Sequence, residues 1–376
     1  MPASQKLPSD DTLPYLILVL TAISGEFPTS LIERLPGGQF YKEVVITQLK
    51  RNKLLRTYYR NGLRALRITS AAKSLLLHDK PEHFRLYLTG NAETNTLKTE
   101  LSRRVRLHRM AEILVLMLNS EVLVLPWEKE PVFHPMQFRK PHSEFPLPAY
   151  YNSREMKELG DSAKKIRGSR ATGVLVTGTG IFTVYNTAGS QMKWGYKEEM
   201  RLKALLKTEL CLHRLPCCFQ KAPICGILFG NTMELLYSIM TSVNAGKRNY
   251  FILDGNYDAF HYLTCDHRGE VILQLLCHPA QRSALDGILQ QNLSQKRVGW
   301  PIDHDAVDES GNPVLFGYSC DMPRILRFDT ALELQGRTGT LICFDFQEPV
   351  LRRICCQRVT IHSIDFEKFE RSVFHS

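Results

Sequence analysis

The stretch LLRTYYRNGLRALRIT, residues 54–69, decides how the amino-terminal part of the chain is read. Two β-prone runs flank Asn61-Gly62, a dipeptide that takes positive φ readily and so suits the two-residue type I′ turn of a hairpin. Arg56, Arg60, Arg64 and Arg67 are spread along it, with Tyr58 and Tyr59 between them. No acidic residue occurs between positions 44 and 77, so the hairpin and the segment before it share one sign of charge.

Three helical segments precede the hairpin. Ser9, Asp10 and Asp11 offer N-caps to a helix that runs to Ser24, with Leu16, Leu20 and Ile23 at helical spacing and Gly25 as its stop. Pro28 and Thr29 open a short second helix through Leu35, and Pro36-Gly37-Gly38 breaks the chain before a third over residues 39–52. The third helix is expected to place Val44, Val45 and Leu49 toward a core, leaving Lys42, Gln48, Lys50 and Arg51 for groove or backbone contacts. Three helices followed by a basic hairpin form the pattern of a winged helix-turn-helix that binds double-stranded DNA. Lys42, Gln48, Lys50, Arg51, Lys53, Arg56, Arg60, Arg64 and Arg67 are then the candidate DNA-binding residues, with Gln48, Lys50 and Arg51 at base edges and the wing arginines on phosphates or in the minor groove. A solvated hairpin with ordinary surface arginines is the plain alternative.

The run Leu66-Arg67-Ile68-Thr69-Ser70-Ala71-Ala72-Lys73 resembles winged-helix regulators, in which a wing strand ends in a Leu/Ile-Thr pair before a helix that starts with small residues. The glycine usual near Ala72 or Lys73 is absent. Such a module ahead of a larger α/β region in one basic chain is similar to the replication-relaxation family of bacterial plasmids and conjugative elements, most clearly over residues 10–80. The resemblance implies a DNA-binding accessory protein of a mobile genetic element, acting in replication, mobilisation or its control beside a relaxase or replication protein. Two other readings stand next to it: a transcriptional repressor whose α/β domain binds a ligand or partner, and a metal-dependent nuclease.

The whole chain fits this frame. Its 376 residues carry a formal charge of +10, are 44 % hydrophobic and 23 % charged, and suit two or three globular domains and a polyanionic partner. The amino terminus lacks the charged and apolar regions of a signal peptide, and the apolar run 13–23 is too short to span a bilayer, so a cytoplasmic protein without membrane association is expected. The ten cysteines are expected to be reduced. Cys211, His213, Cys217 and Cys218 form the one metal-like cluster, without the two-residue gap of a zinc knuckle, and no cofactor is assigned.

The expected organisation is mixed α/β or α+β: a winged helix over residues 1–90, a long helix and proline-rich connection over 91–149, and a larger mixed α/β domain over 150–376. Residues 81–94 are read as a short helix and turn. Residues 96–119 are read as one helix, with Arg103, Arg104, Arg106 and Arg109 at its centre, offering a link between lobes with a solvated charged face, a track for phosphates or a homodimer interface. Pro126, Pro131, Pro135, Pro141, Pro146 and Pro148 mark an irregular surface connection, though residues 121–125 could already begin a strand.

Beyond Tyr150 the pattern gives a helix 153–166, hairpin strands 172–178 and 181–186, helix 196–212, strand 223–229, helix 231–245, strand 249–253 and a helix 279–293. Apolar runs VILQLL, PVLFGY, RILRF and TLICFDF follow, and the chain closes with a strand and a short helix. Glu155 and Glu158 ahead of a hairpin, with Lys197, Glu198, Glu199 and Lys203 after it, suggest a degenerate restriction-endonuclease-like fold. Asn186 stands where a strand-end Asp is needed and Glu199 to Lys203 has the wrong spacing, so the catalytic signature is not met. Asp254 and Asp258, or Asp303, His304, Asp305 and Asp308, could hold a divalent cation or merely close turns. Gly178 and Gly180 fit a hairpin turn better than a nucleotide loop. Lys164, Lys165, Arg167, Arg170, Lys193 and Lys197 surround Trp194, which either stacks on single-stranded nucleic acid or plugs the core.

Overall fold

The computed structural model describes residues 6–91, 93–134, 147–192, 194–242, 256–296 and 299–374. They form two compact units: one takes the chain up to Asn119 together with Val124–Glu130, the other takes Ser120–Leu123 and the chain from Pro131 onward.

In the first unit, α1 (Leu13–Ser24) starts after Thr12, whose backbone is extended, with Pro14 in the first turn where its missing N–H costs nothing. Neither Ser9, Asp10 nor Asp11 is the cap residue. Gly25 ends α1 at φ 81°, and a Cβ there would sit 2.4 Å from the carbonyl oxygen of Thr94, so conformation and space both demand glycine. Where a second α-helix is expected, the chain makes a two-residue strand β1 (Phe27–Pro28) and a tight 3₁₀ segment, Thr29–Arg34. Helix α2 (Gln39–Arg51) follows, then the hairpin of β2 (Leu55–Arg60) and β3 (Leu63–Ile68). Asn61 and Gly62 have φ of 52° and 75°, the positive values of a type I′ turn. The sheet order is β1-β3-β2, so β3 is the central strand and Ala65, Leu66, Arg67 and Ile68 are all buried.

Helix α3 (Ser70–Asp79) is capped by Thr69, whose Oγ1 accepts from the amide of Ala72 at 3.1 Å; the threonine does the work and the missing glycine is immaterial. Helices α4 (Pro81–Leu88) and α5 (Leu101–Asn119) complete the unit. The long helix thus begins five residues later than expected and belongs to the first unit rather than to a connection. It packs on α1, β1 and the 3₁₀ segment, with Ala111 and residues 113–117 buried. Trp127 is also part of this unit, its ring stacked on His83 at 4.6 Å between centroids. Pro135, Pro141 and Pro146 lie outside the described residues.

The second unit opens with Leu123, bridged to β4 (Ala149–Asn152) by a single ladder pair. The expected helix 153–166 is two pieces, a 3₁₀ segment Glu155–Leu159 and α6 (Asp161–Lys164), broken at Gly160 with φ 62° and ψ −121°. Strands β5 (Gly173–Val176) and β6 (Ile181–Ala188) follow. Then come α7 (Tyr196–Leu206), widening into π-helical turns over Lys207–Arg214, the short α8 (Pro216–Phe219), β7 (Ile224–Gly230), α9 (Met233–Met240) and β8 (Phe260–Thr264). The expected strand 249–253 and Asp254 lie outside the described residues. In the sheet β4-β5-β6-β7-β8 the first three strands form an antiparallel meander, and β6, β7 and β8 run parallel with helices as crossovers.

Two of the four apolar runs are helical. VILQLL lies in α10 (His267–Cys277), capped by Asp266, and α11 (Pro279–Gln290) follows it. A second sheet contains β9 (Ser294–Gln295), β10 (Ala306–Val307) and β11 (Pro313–Phe316). RILRF lies in α12 (Met322–Gln335); β12 (Gly339–Phe344), α13 (Glu348–Ile354), β13 (Val359–Ile364) and α14 (Phe366–Phe374) end the chain. The order is β13-β12-β11-β10-β9, parallel from β11 to β13. No helix among the described residues is long and apolar enough to cross a membrane.

Candidate nucleic-acid interface

The candidate surface is built on a buried ionic brace. Glu26 lies between α1 and β1, fully buried, and its carboxylate receives Arg67 of β3 at 2.9 Å and Nε of Arg104 of α5 at 2.9 Å, with Nε2 of His108 at 3.3 Å. Burial pushes the carboxyl of Glu26 up, but hydrogen bonds from His108 and Arg104 and the charges of Arg104 and Arg67 outweigh it and hold the group below the ordinary carboxylate range. The far end of Arg67 donates to the carbonyl of Asn95 at 2.6 Å. Arg104 donates through Nη1 to the carbonyl of Arg60 and through Nη2 to that of Leu63 at 3.2 Å, the two residues that bracket the Asn61-Gly62 turn. The Tyr58 ring covers Arg104 at 4.5 Å and Arg67 at 5.8 Å. One helix therefore grips the backbone of the hairpin tip.

This brace removes Arg67 from the DNA-binding candidates. It is a fully buried side chain on the central strand, committed to Glu26, and has no path to a phosphate. Lys42 is removed as well: it faces inward on α2 and its Nζ donates to the carbonyl of Glu33 at 2.9 Å. Val44, expected in the core, is instead 46 % exposed, because the buried stripe of α2 runs through Lys42, Val45 and Leu49.

The seven remaining candidates stay accessible. Gln48, Arg51, Lys53, Arg56, Arg60 and Arg64 are exposed and Lys50 is half-buried. The pleat divides the hairpin arginines: Arg64 opposes Tyr59 on one face, whereas Arg56 lies opposite Arg67, and Arg60 opposite Leu63, on the other. Lys50 comes close to Arg64; partial burial and that neighbouring charge pull its ammonium below the usual lysine range. Among the described residues, Lys50, Arg51, Lys53, Arg56, Arg60 and Arg64 make no ion pair. Some cations elsewhere are paired: Lys73 meets Glu93 at 2.5 Å, Arg103 meets Glu100 at 2.9 Å and Arg353 meets Glu234 at 2.9 Å.

Three side chains that the pattern of charge did not select share this surface. Phe40 is 81 % exposed and Tyr41 50 %, and Thr47 also faces outward. Their signal was available: positions 40, 44, 47 and 51 recur at helical spacing on the side opposite Lys42, Val45 and Leu49. Glu26 carried one too, as the acid in the otherwise uncharged stretch AISGEFP.

In the second unit three of the candidate catalytic groups, Glu155, Glu199 and Lys203, make structural hydrogen bonds. Glu199 is buried on α7, where its carboxylate accepts from Ser169 Oγ at 2.8 Å, the amide of Arg170 at 2.7 Å and Tyr185 OH at 2.8 Å. Burial pushes its pKa up. Lys203 donates to the carbonyl of Asn256 at 2.6 Å. Glu155 binds the amide of Asn152 at 2.8 Å, and Asn186 turns its side chain back to the amide of Ala188 at 2.8 Å. Asp303 and Asp305 clamp Arg324 at 2.8 and 2.9 Å, the hydrogen bond from Arg324 holding the Asp303 carboxyl at about 2. Asp308 accepts from the amide of Asn312 at 2.8 Å to close the turn at Gly311, and Asp258 accepts from the amide of Ile224 at 2.6 Å. Cys211 is buried while His213 and Cys218 are exposed, so these do not converge. Among the described residues no group of three or more His, Cys, Asp or Glu side chains is placed to hold a metal ion. Trp194 is buried, packed on Phe260 at 6.1 Å and Tyr185 at 5.4 Å, and offers no stacking platform to a nucleic-acid strand. Gly178 and Gly180 turn a hairpin, the amide of Thr177 donating to the Gly180 carbonyl at 2.9 Å.

One cavity in this unit, of about 280 Å³, is bounded by Phe182 and Cys225 of β6 and β7, His261 of β8, and Ser319, Asp321 and Arg324 at the start of α12. His261 is buried with Nδ1 2.9 Å from the carbonyl of Ser319; burial lowers its pKa, so the neutral ring carries its proton on Nδ1. Comparison with family models, with curated proteins and with solved structures finds no match to the chain.

Proposed function

We propose that the chain binds double-stranded DNA through its first unit, with α2 entering the major groove and the β2–β3 hairpin lying on the backbone as a wing. One observation carries this reading: six cationic side chains, Lys50, Arg51, Lys53, Arg56, Arg60 and Arg64, are gathered on one helix end and one hairpin without a carboxylate partner among the described residues. Like charges held together are unfavourable unless a polyanion neutralises them. The order of helix, short strand, helical turn, helix and hairpin, with β3 central in its sheet, supports a winged-helix reading. The finer reading, an accessory protein of a plasmid or conjugative element acting in replication, mobilisation or its control, follows from the family resemblance. A relaxase or replication protein is its proposed partner. For the second unit, the antiparallel meander followed by a helix and a parallel strand supports a degenerate restriction-endonuclease-like framework, to which we assign no bond-breaking step.

The test is fluorescence anisotropy of the full chain on duplex DNA across a salt series. If all six cations meet phosphates, log K falls with log salt with a slope of about −5, from roughly 0.9 per phosphate. Arg60→Ala with Arg64→Ala reduces the steepness by about 2 and weakens binding to all sequences alike. No binding to duplex, or an unchanged slope in the double variant, rejects the reading.

The cavity bounded by His261 and Ser319 favours a second reading, a repressor whose larger unit takes a small ligand. In that case a small molecule releases the chain from its own promoter, and Ser319→Trp, which fills the cavity, abolishes the release while leaving DNA affinity intact.

A further inference from the structure

Helix α2 is amphipathic in an unusual sense. At 100° per residue, the direction opposite its buried stripe of Lys42, Val45 and Leu49 is occupied by Phe40, Thr47 and Arg51 within about 30°, and by Val44 within about 50°. A helix with no partner on its outer side carries polar residues there; this one carries a phenyl ring 81 % exposed and a valine 46 % exposed. Gln48 flanks the stripe on one side and Lys50 on the other. Glu43, about as near to the outer direction as Val44 but on the other side of it, accepts from the side chain of Gln39 at 3.1 Å.

The surroundings define what covers this face. Arg51 is on this outer face itself, and Lys50 on its flank comes close to Arg64, all three without carboxylate partners among the described residues, so the occupant is strongly anionic yet offers apolar groups at its centre. An acidic protein surface offers carboxylates; duplex DNA offers phosphates on both sides of a groove whose only apolar base-edge group is the C5 methyl of thymine. Phenyl, isopropyl and threonine methyl groups pack on that methyl, and a glutamine amide pairs with N6 and N7 of adenine.

We infer that α2 reads thymine methyl groups through Phe40, Val44 and Thr47, so that the chain prefers A·T pairs in the major groove at the centre of its site. The inference rests on the DNA-binding reading above and adds what is read there. Gln48 completes it at a neighbouring adenine, while the hairpin arginines supply affinity without choice of sequence.

Random duplexes are enriched on the full chain, and the enriched pool is amplified with either dTTP or dUTP, which leaves every phosphate and Watson–Crick pair in place and removes only the methyl groups. The uracil pool is expected to bind about fourfold more weakly for each methyl that the helix buries. Phe40→Ala combined with Val44→Ala, at exposed positions where the fold tolerates truncation, narrows the difference between the two pools, an unchanged difference overturns the inference, and circular dichroism verifies the fold. Arg60→Ala with Arg64→Ala weakens both pools by one factor. Failure to enrich any sequence, or equal binding of the two pools by the unaltered chain, overturns the inference while salt-dependent duplex binding keeps the DNA reading. Absence of any duplex binding rejects both.

Discussion

Arg104→Met is the substitution that tests the brace. It preserves the length of the side chain and helix propensity of α5 while deleting the guanidinium that links Glu26 to the hairpin tip. What is lost is one arm of a fully buried charge pair, together with hydrogen bonds to the carbonyls of Arg60 and Leu63. Removing one partner of a buried ion pair costs roughly 3–5 kcal/mol, because the charge left behind is no longer compensated. Arg67 still meets Glu26 at 2.9 Å, so the lower end, about 3 kcal/mol, is expected.

The loss falls first on the hairpin, whose tip is bound by Arg104. Amide hydrogen exchange of the full chain is the assay: protection of the β2 and β3 amides should fall by about two orders of magnitude, since 1.4 kcal/mol is tenfold, while amides of the second unit stay as they were. The logic has a second arm. Replacing Glu26, Arg67 and Arg104 together with Leu, Leu and Met removes every buried charge of the trio at once, and should destabilise less than Arg104→Met alone. Unchanged protection in the single variant, or a triple variant that loses stability additively, would refute the account of the brace.

Two further outcomes follow from the structure. Lys42→Met keeps the salt slope of duplex binding while Arg51→Ala lowers it by about 1, as anisotropy will show, because Lys42 faces inward and Arg51 faces outward. Glu158, whose carboxyl burial and the nearby Glu155 push up to about 7, destabilises the folded chain when ionised. Since its folded pKa lies above the unfolded value of about 4.3, its stability contribution is full below about pH 4.3 and is lost as pH rises toward 7. Glu158→Gln therefore raises the melting temperature at pH 8 relative to the unaltered chain and brings no gain at pH 4.

Much of the first unit was legible because its signals are local. Asn61-Gly62 specifies the turn, Gly25 stops α1, and Pro36-Gly37-Gly38 isolates α2. In sequence the 3₁₀ segment is indistinguishable from a short α-helix, because 3₁₀ and α begin with the same residues after Pro28. Strand β1 was invisible: two residues, one of them proline, carry no alternation. Pairing of Phe27 and Pro28 with Leu66 and Ala65 is what makes β3 the central strand. In the second unit VILQLL and RILRF could not be told from strands by hydrophobicity alone; Asp266, capping the amide of Gly269 at 3.1 Å, marks the first as a helix.

Arg64 and Arg67 show why charge pattern alone cannot assign a binding surface. They sit three residues apart on one strand, in one basic run, and sequence gives them the same role. The strand gives them opposite faces, and Glu26, forty-one positions before Arg67, decides which of the two is spent. In this unit Arg67 and Arg104 find a carboxylate inside the fold and become structure, while Arg51, Arg56, Arg60 and Arg64 do not and stay on the candidate surface. By that criterion the brace and the candidate surface belong together: Glu26 neutralises the inner cations, and Arg104 grips the turn between Arg60 and Leu63 and holds the hairpin tip. A hairpin that holds its own arginines still loses less freedom when a phosphate binds, so on the proposed reading loosening the brace should weaken DNA binding even though Arg104 and Glu26 are both fully buried. Arg104→Met is thus expected to reduce affinity for every duplex while leaving the salt slope near that of the unaltered chain, the reverse of what Arg60→Ala with Arg64→Ala does to the slope.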